Sequence, residues 1–205
     1  MRVSAETKAA TRETILRTAR RLFAENGYEA TRTRDIARAA GIASGTLFNY
    51  FQTKEAIVAC LASEAIGETL TEAGATPRTA ETLEEALFGL IASGLRKLKP
   101  LRKHLPALLE TSLSPLALTP QDESTSLRVA HLEAVATLAA HHGYGELPPT
   151  ALQLYWTLYT GVLVFWANDA SPKQEDTLAL IDDSLSMFVG WLGQETQVDS
   201  SPRQR

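Results

Sequence analysis

The stretch TRTRDIARAAGIASGTLFNYF, residues 31–51, decides the fold of the N-terminal part of the chain. Its pattern of apolar residues and the glycine at position 41 predict two short helices joined by a tight turn, which is a helix-turn-helix. The second helix is unusual because it contains glycine, serine, threonine and asparagine, which form helices less readily than alanine. A helix of this composition is suited to contact with another molecule, and in a helix-turn-helix it enters the DNA major groove N-terminal end first.

This second helix is predicted to have two different faces. Small residues at its start bring the backbone close to base edges and phosphates, and the free N–H groups of the first turn bind phosphate; they are Ala43, Ser44 and Gly45. The opposite face holds the helix against its neighbours through Ile42, Leu47 and Phe51. We therefore expect the duplex to be faced by Phe48, Asn49 and Tyr50.

The preceding sequence predicts a first helix over residues 11–26, because its apolar residues fall on one face. Gly27 is suited to end this helix in a left-handed conformation. Tyr28 would then fold back onto Phe23, which is the apolar contact that accompanies such an ending.

The boundaries of the next helices follow from local signals. Thr33 is the expected N-cap of the second helix, with Asp35 in its first turn, and Gly41 is expected to end it as Gly27 ends the first. A long fourth helix is predicted to begin at Lys54 and to run to about residue 73.

Charge is distributed unevenly along the chain. Residues 1–55 contain ten Lys and Arg against six Asp and Glu, whereas residues 56–205 contain ten against eighteen. A basic segment on an acidic body indicates an anionic partner for that segment, although the net charge of the chain is −4. The alternative is a set of packed helices without a DNA role, because helix-turn-helix pairs recur in all-α proteins. The charge asymmetry favours double-stranded DNA as the partner.

Several motifs keep fixed spacings over about 45 residues: RETILRTARRLF at 12–23, GY at 27–28, TRTRDIA at 31–37, AGI at 40–42 and GTLFNYFQTKE at 45–55. Together they closely resemble the N-terminal DNA-binding domain of TetR-family transcriptional regulators. The resemblance implies an all-α fold, in which this three-helix domain is followed by a larger helical domain for ligand binding and dimerisation. The rest of the chain matches the family only in length and in helix count.

The resemblance also implies roles for individual residues. Positions that usually contact phosphates are held here by Thr33, Thr46, Tyr50 and Lys54, and positions that usually face bases by Ser44, Gly45, Phe48 and Asn49. Asn49 can pair with adenine through two hydrogen bonds, and Phe48 can contact a thymine methyl group or pack locally. Two residues depart from the family pattern: Phe48 replaces the usual tyrosine and so lacks its hydroxyl, and Ala43 replaces the frequent N-cap serine, so Ser44 or water would take its place.

The sequence after residue 73 predicts further helices over 81–99, 101–113, 121–142, 148–168 and 173–193, separated by prolines. We therefore predict a DNA-binding domain at 1–55, a ligand-binding and dimerisation domain at 56–195 and a disordered polar tail at 196–205.

The last predicted helix has a seam of apolar residues at spacings of three and four, which suits packing against another helix. In the family, the last two helices form a four-helix dimer interface, so we predict a homodimer whose interface contains Leu178, Ile181, Leu185, Phe188 and Leu192. The alternative use of this seam is the core of a single chain.

A candidate ligand site is defined by aromatic residues and histidines on the apolar faces of the body; it comprises Phe88, His104, His131, Trp156 and Tyr159. For His131, the alternative is a core histidine with satisfied hydrogen bonds. The basic cluster RKLKPLRK, residues 96–103, is expected to be a solvated turn, with contact to DNA or to a phosphate-bearing ligand such as an acyl-coenzyme A as alternatives. Four scattered histidines do not predict a metal site, and we expect no cofactor.

Several other classes are disfavoured. Paired carboxylates, a nucleophile–base set and a phosphate-binding loop are not seen in the sequence, which argues against an enzyme. The single cysteine, Cys60, lies in an apolar helical segment and is expected to be inert. The apolar segment 151–167 is better explained as a buried helix than as a membrane span, and the N-terminus carries no signal peptide, so we expect a cytoplasmic protein.

These observations predict a ligand-responsive regulator, most simply a repressor, whose dimer binds a palindromic operator. A small apolar or aromatic effector would bind the body, shift the fourth helix and change the spacing of the two reading helices. The alternative is a ligand-independent, architectural DNA-binding protein, although such a role does not require a large aromatic-rich body.

Overall fold

Helices account for all regular structure in the described part of the chain, which comprises residues 4–75, 82–104 and 123–199 of a computed structural model. The N-terminal helices are α1 (Ala5–Asn26), α2 (Thr33–Ala39), α3 (Ser44–Tyr50) and α4 (Lys54–Ala75). They are followed by α5 (Leu83–Leu98), α6 (Glu123–His141), α7 (Pro149–Asn168) and α8 (Glu175–Asp199), with short 3-10 helices at Lys99–His104 and Pro172–Gln174. The predicted all-α fold is confirmed.

The largest differences between the predicted helices and the structure are at three places. Helix α1 begins at Ala5 because the Ser4 hydroxyl caps it, accepting the N–H of Thr7 at 3.1 Å. The helix predicted over 101–113 is a 3-10 helix up to His104, and residues 105–122 lie outside the described residues. Helix α8 continues to Asp199, into the predicted tail, because no proline interrupts it before Pro202.

The chain divides into two compact units, Met1–Glu64 and Ala65–Arg205, so the boundary falls inside α4 rather than at residue 55. In the first unit, α2 packs on both α1 and α3. Its buried core comprises Ile15, Leu16, Ala19, Ile36, Ala37, Leu47, Phe51, Ile57 and Leu61. Apart from Phe51, which directly follows α3, each of these residues is on the apolar stripe of its own helix, which is the arrangement that helical periodicity predicts.

The second unit is built around α8, which packs on α5 and on α7. Helix α6 packs on α5 and α7, and the 3-10 helix Lys99–His104 packs on α5 and α7. The largest fully buried side chains of this unit are Trp166, Tyr155, Phe188, Leu87, Leu98 and Ile181. Within the described residues, no helix is long and apolar enough to cross a membrane.

Candidate functional site

The turn between α2 and α3 is fixed by Gly41. Its φ of +70° is in the left-handed region, which a glycine adopts without steric cost. The N–H of Ile42 donates to the carbonyl of Ala37 at 3.0 Å, and the N–H of Gly41 donates to the carbonyl of Arg38 at 3.2 Å. These two bonds close the last turn of α2, as predicted, and they set the direction in which α3 begins.

The start of α2 differs from the prediction, because its N-cap is Arg32 rather than Thr33. The backbone N–H of Arg32 donates to the Asp35 carboxylate at 3.2 Å, so the acidic residue in the first turn defines the helix start one residue earlier. Thr33 becomes the first residue of α2 and is half-buried. Its hydroxyl is therefore not used as a cap.

Helix α3 exposes the residues that were predicted to face DNA. Ala43 is its N-cap, and no side chain caps the helix, so Ser44 does not take over that role. Leu47 is 0% exposed, whereas Phe48 on the other face is 47% exposed. The remaining predicted contacts are also accessible: Ser44, Gly45 and Asn49 are exposed, and Thr46 and Tyr50 are half-buried. The structure thus brings these residues onto one accessible surface of a short helix.

Lys54 has a structural role that the sequence did not reveal. Its ammonium donates to the carbonyls of Tyr28 at 2.8 Å and Thr31 at 3.2 Å, and lies 3.7 Å from the centre of the Tyr28 ring. The same loop is held by the Thr31 hydroxyl, which donates to the carbonyl of Gly27 at 2.8 Å. Lys54 therefore anchors the loop that leads into α2 to the first residue of α4, and two of its three donors are already used.

Tyr28 connects this loop to α4 a second time and packs where predicted. Its ring lies 5.3 Å from that of Phe23, and its hydroxyl donates to the Glu55 carboxylate at 2.8 Å. The pKa of Glu55 is lowered, first by a hydrogen bond from its own backbone N–H and then by the bond from Tyr28. Partial burial and the Glu55 carboxylate raise the pKa of Tyr28. Glu55 is thus a charged acceptor that orients the tyrosine.

In the second unit, His131 lies inside an aromatic cluster on α7. Its ring centre is 4.3 Å from that of Tyr159, 5.7 Å from Tyr155 and 6.0 Å from Trp156. Its Nε2 is 3.1 Å from the Tyr155 hydroxyl, whereas its Nδ1 is buried and has no hydrogen-bond partner among the described residues. Burial lowers the pKa of His131 to about 4, so the ring is neutral at pH 7. It is therefore a core histidine, with one nitrogen that no described residue satisfies.

The other predicted ligand residues are distributed differently. Trp156 joins the cluster, with its ring 5.6 Å from that of Tyr159. Phe88 is half-buried on α5, and no ring contact joins it to the cluster in the described part of the chain. His104 is the last residue of its 3-10 helix, and its side chain lies outside the described residues.

Four of the five residues of the predicted dimer seam are buried within the single chain. Ile181 is 0% exposed, Leu185 3%, Phe188 1% and Leu192 1%, all within a single chain. These four side chains form the intrachain core around α8, so a partner has no surface left to cover on them. Of the seam, only Leu178, which is 41% exposed, remains available.

Helix α7 instead presents an exposed face without any charged residue. Its exposed residues are Thr150, Gln153, Leu154, Thr157, Gly161, Val164, Phe165 and Asn168. Their spacing of three and four places them on one side of the helix. On α8, the most exposed large apolar residue is Met187, at 75%. A long uncharged face of this kind is unusual for a surface that stays in contact with water.

The basic cluster at 96–103 is partly explained by contacts within the unit. Arg102 donates to the carbonyls of Trp166, at 2.7 Å, and Asp169, and so binds the C-terminal end of α7. Lys97 forms ion pairs with Glu72 at 2.7 Å and Glu68 at 3.7 Å on α4. These two residues are thus structural, which the sequence did not reveal.

Asp169 joins α7 to α8. Its carboxylate accepts the Thr177 hydroxyl at 2.5 Å and the Thr177 N–H at 3.1 Å, and it accepts the Ser171 N–H at 2.7 Å. The hydrogen bonds from Thr177 and then Ser171 hold the pKa of Asp169 well below its usual range.

Among the described residues, no group of three or more His, Cys, Asp or Glu side chains is placed to hold a metal ion.

Comparison with known proteins relates these sites to a family. Residues 15–61 match the family described as bacterial regulatory proteins, tetR family. The HTH-type transcriptional repressor KstR2 of Rhodococcus jostii is 30% identical over 207 residues, which cover 96% of this chain and 88% of the relative. The fold is similar to that of Thermus thermophilus FadR, a TetR-family repressor solved in complex with lauroyl-CoA, with a TM-score of 0.62 and 21% identity over 87% of this chain and 93% of that one.

A second solved structure agrees on the fold. FadR of Bacillus subtilis, solved in complex with stearoyl-CoA, has a TM-score of 0.57 and 24% identity over 86% of this chain and 97% of that one. Because the KstR2 match extends over nearly the whole chain, the relationship includes the body as well as the helix-turn-helix. The chain belongs to the TetR family and is a DNA-binding transcriptional regulator rather than an enzyme.

Proposed function

We propose that the protein is a repressor that binds a palindromic operator as a homodimer and is released from it by a small effector bound in the second unit. The DNA-binding part of this proposal rests on one observation: the start of α3 is exposed and has no side-chain cap, and the preceding helix α2 has exposed arginines. Free N–H groups at Ser44 and Gly45 suit a phosphate or a base edge, and Arg34 supplies positive charge close by in the sequence.

The roles within this interface follow from chemistry. Asn49 is exposed and can form two hydrogen bonds with adenine, and the exposed Phe48 ring can contact a thymine methyl group. Thr46 and Tyr50 offer hydroxyls, and Thr33 a third, for phosphate contacts. Lys54 retains one donor for phosphate beside its two internal hydrogen bonds.

The dimer is supported by the uncharged face of α7. A second copy placed on this face would bury Leu154, Val164 and Phe165 without desolvating a charge. Such a dimer can place two reading helices at half-sites about 34–36 Å apart, one turn of DNA.

The effector is proposed to be apolar or aromatic, because Trp156, Tyr159 and His131 form an aromatic cluster in the second unit. The two FadR neighbours were solved with acyl-coenzyme A ligands, which makes a long-chain acyl-coenzyme A a first candidate. Coupling would pass through α4, the helix that contains the boundary between the two units.

The DNA-binding proposal is tested by selecting binding sites from random duplex DNA with the full chain. We expect an inverted repeat to be enriched, and titration with lauroyl- or stearoyl-coenzyme A to lower the affinity for it. Selection of no sequence would contradict the proposal. Selection of an inverted repeat whose affinity no candidate effector changes would favour the ligand-independent alternative.

The dimer face is tested separately with Phe165→Glu, which places a charge on α7. We expect a monomer by light scattering and a loss of operator affinity of about 100-fold or more, because the second half-site no longer adds to binding. Val129→Glu is the matched control, since Val129 is 49% exposed on α6. A Phe165→Glu protein that remains dimeric would show that the interface lies elsewhere.

A further inference from the structure

The second unit contains two buried polar atoms without hydrogen-bond partners in the described part of the chain: Nδ1 of His131 and Nε1 of Trp166. Their side chains are 3% and 1% exposed. Buried polar groups in folded proteins are nearly always hydrogen-bonded, since an unsatisfied group costs free energy. Two such atoms in one unit therefore require an explanation.

The two residues are associated with the same side of α7. His131 packs on Tyr155 and Tyr159 of α7, and Trp166 belongs to α7 itself. Tyr155, Tyr159 and Trp166 are all buried and are spaced four and seven residues apart, so they share the inward side of α7. From Tyr159 to Trp166 the helix rises by about 10 Å.

Both atoms are hydrogen-bond donors. An indole Nε1 carries a hydrogen and can only donate. For His131, a Tyr155 hydroxyl that donates to Nε2 places the imidazole hydrogen on Nδ1. In the opposite tautomer, Nε2 would carry the hydrogen and donate it to the Tyr155 oxygen. Both Nδ1 and the phenol hydrogen would then be unsatisfied, because the contact with His131 at 3.1 Å is the hydrogen bond that the Tyr155 hydroxyl makes in the described part of the chain.

The surroundings disfavour a charged ligand group at these atoms. Burial keeps His131 neutral at pH 7 and raises the pKa of the neighbouring tyrosines, so the cluster offers neither a cation nor an anion. The nearby cations are engaged elsewhere. Arg128 lies 5.4 Å from the Trp156 ring and donates to Gln153, and Arg102 lies 5.5 Å from the Trp166 ring and donates to two carbonyls.

We propose that His131 Nδ1 and Trp166 Nε1 are the hydrogen-bond donors that recognise the effector, and that the effector presents uncharged acceptors such as ketone or thioester carbonyls on an apolar body. This inference rests on the proposed ligand response and gives its chemistry. Both atoms are shielded from water by neighbouring side chains, so the ligand reaches them by displacing those side chains. Binding and a change of shape in the second unit are then the same event.

The test uses three probes of similar shape: 2-acetylnaphthalene, which has a ketone acceptor, 2-ethylnaphthalene, which has none, and 2-naphthoate, which is anionic. Their dissociation constants for the full-length protein are measured by calorimetry. We expect the ketone to bind about 5- to 10-fold more tightly than the ethyl compound, which corresponds to about one hydrogen bond. We expect the carboxylate to bind more weakly than the ketone.

Two variants test whether the tighter binding of the ketone depends on these two donors. Trp166→Phe and His131→Phe keep an aromatic ring but remove the donor, and each should reduce the advantage of the ketone by several-fold while leaving 2-ethylnaphthalene binding unchanged. Trp191→Phe is the matched control, because it removes an indole from a half-buried position on α8. If one variant fails to fold, the other variant and the three probes on the unaltered protein still decide the question.

Several results would overturn the inference: equal binding of the ketone and the ethyl compound, tighter binding of the carboxylate, a ketone advantage that survives both variants, or no binding of any probe at its solubility limit. Operator binding is measured with the same samples. It distinguishes a failure of the inferred effector recognition from a failure of the proposed DNA-binding function. A protein that selects an inverted repeat and responds to another effector remains a ligand-responsive regulator, with a different recognition chemistry.

Discussion

Two helices of this protein, α3 (Ser44–Tyr50) and α7 (Pro149–Asn168), contain no charged residue. They are otherwise opposites. Helix α3 is short, its exposed side combines polar residues with Phe48, and it follows a helix with exposed Arg34 and Arg38. Helix α7 is long, and its exposed side includes Leu154, Val164 and Phe165.

The difference shows how the same lack of charge suits different partners. In the proposed DNA interface, cations near α3 supply the attraction to DNA, and the uncharged helix can approach base edges closely and form directional hydrogen bonds. On α7, no such cations are needed, because apolar surface is removed from water when another protein covers it. The environment of an uncharged helix, rather than its composition alone, thus indicates what it binds.

The largest expected effect is on the free energy of unfolding, because a buried leucine of α3 and an exposed leucine of α7 contribute differently to it. Leu47→Ala in α3 removes a side chain that is 0% exposed, and should lower the free energy of unfolding by about 3 kcal/mol. Leu154→Ala in α7, at 39% exposure, should change it by less than about 1 kcal/mol at concentrations where the protein is monomeric. Urea unfolding monitored by circular dichroism measures both, and equal losses would contradict the assignment of faces.

A second prediction concerns the anchor below α3. Lys54→Met removes the donor to the carbonyls of Tyr28 and Thr31, and should cost about 1–2 kcal/mol in stability while weakening binding to all DNA sequences alike. A decrease of about one unit in the salt slope would show a phosphate contact in addition. Lys8→Met, at an exposed position of α1, is the control for removal of a positive charge. Unaltered stability of Lys54→Met would refute the anchor.

A third prediction addresses specificity on the exposed side of α3. Asn49→Ala should cost about 1–3 kcal/mol of discrimination at one base pair of each half-site, with little effect on folding, since Asn49 is exposed. Binding-site selection measures the change. If the selected sequence is the same as for the unaltered protein, Asn49 does not read a base.

The smallest effect is expected at the end of α7. Asp169→Asn replaces a carboxylate that accepts three hydrogen bonds, one of them from the backbone N–H of Thr177. Because the folded-state pKa of Asp169 is depressed, its contribution is fully present above its unfolded pKa of about 4 and is lost as the pH falls further. Thermal melts of the two proteins should therefore differ at pH 7 and converge progressively as the pH is lowered from about 4 towards the depressed folded-state pKa. A constant difference across this range would exclude the ionised carboxylate as the cause.

Much of the first unit could be predicted because its signals are local. Gly27 and Gly41 mark helix ends through their own backbone conformations, and Tyr28 packs on Phe23 within the same segment. The N-cap of α2 was misassigned to Thr33 because the deciding hydrogen bond, from the Arg32 N–H to Asp35, competes with the usual preference for threonine. The anchor at Lys54 was missed because its acceptors are backbone carbonyls, which leave no trace in the side-chain pattern.

The second unit was predicted less well because its apolar residues serve more than one surface. The seam of α8 has the spacing of an interface, but spacing does not distinguish a partner chain from a neighbouring helix, and Phe188 and Leu192 are covered by their own chain. Arg102 looked like part of a solvated cluster, although it binds the end of a helix that lies more than sixty residues away in the sequence. His131 was correctly placed on an apolar stripe, but its unsatisfied nitrogen depends on three-dimensional packing.

If the proposed dimer forms through the uncharged face of α7, there is a consequence for a cell that contains several regulators of this family. Pairing between chains is often kept faithful by opposite charges that match in the correct pair and repel in a wrong one. A face built from Leu154, Thr157, Gly161 and Phe165 has no charged residues, so only shape complementarity can discriminate against a related chain. Mixed dimers, each reading two unlike half-sites, would then be limited by the contours of this one helix.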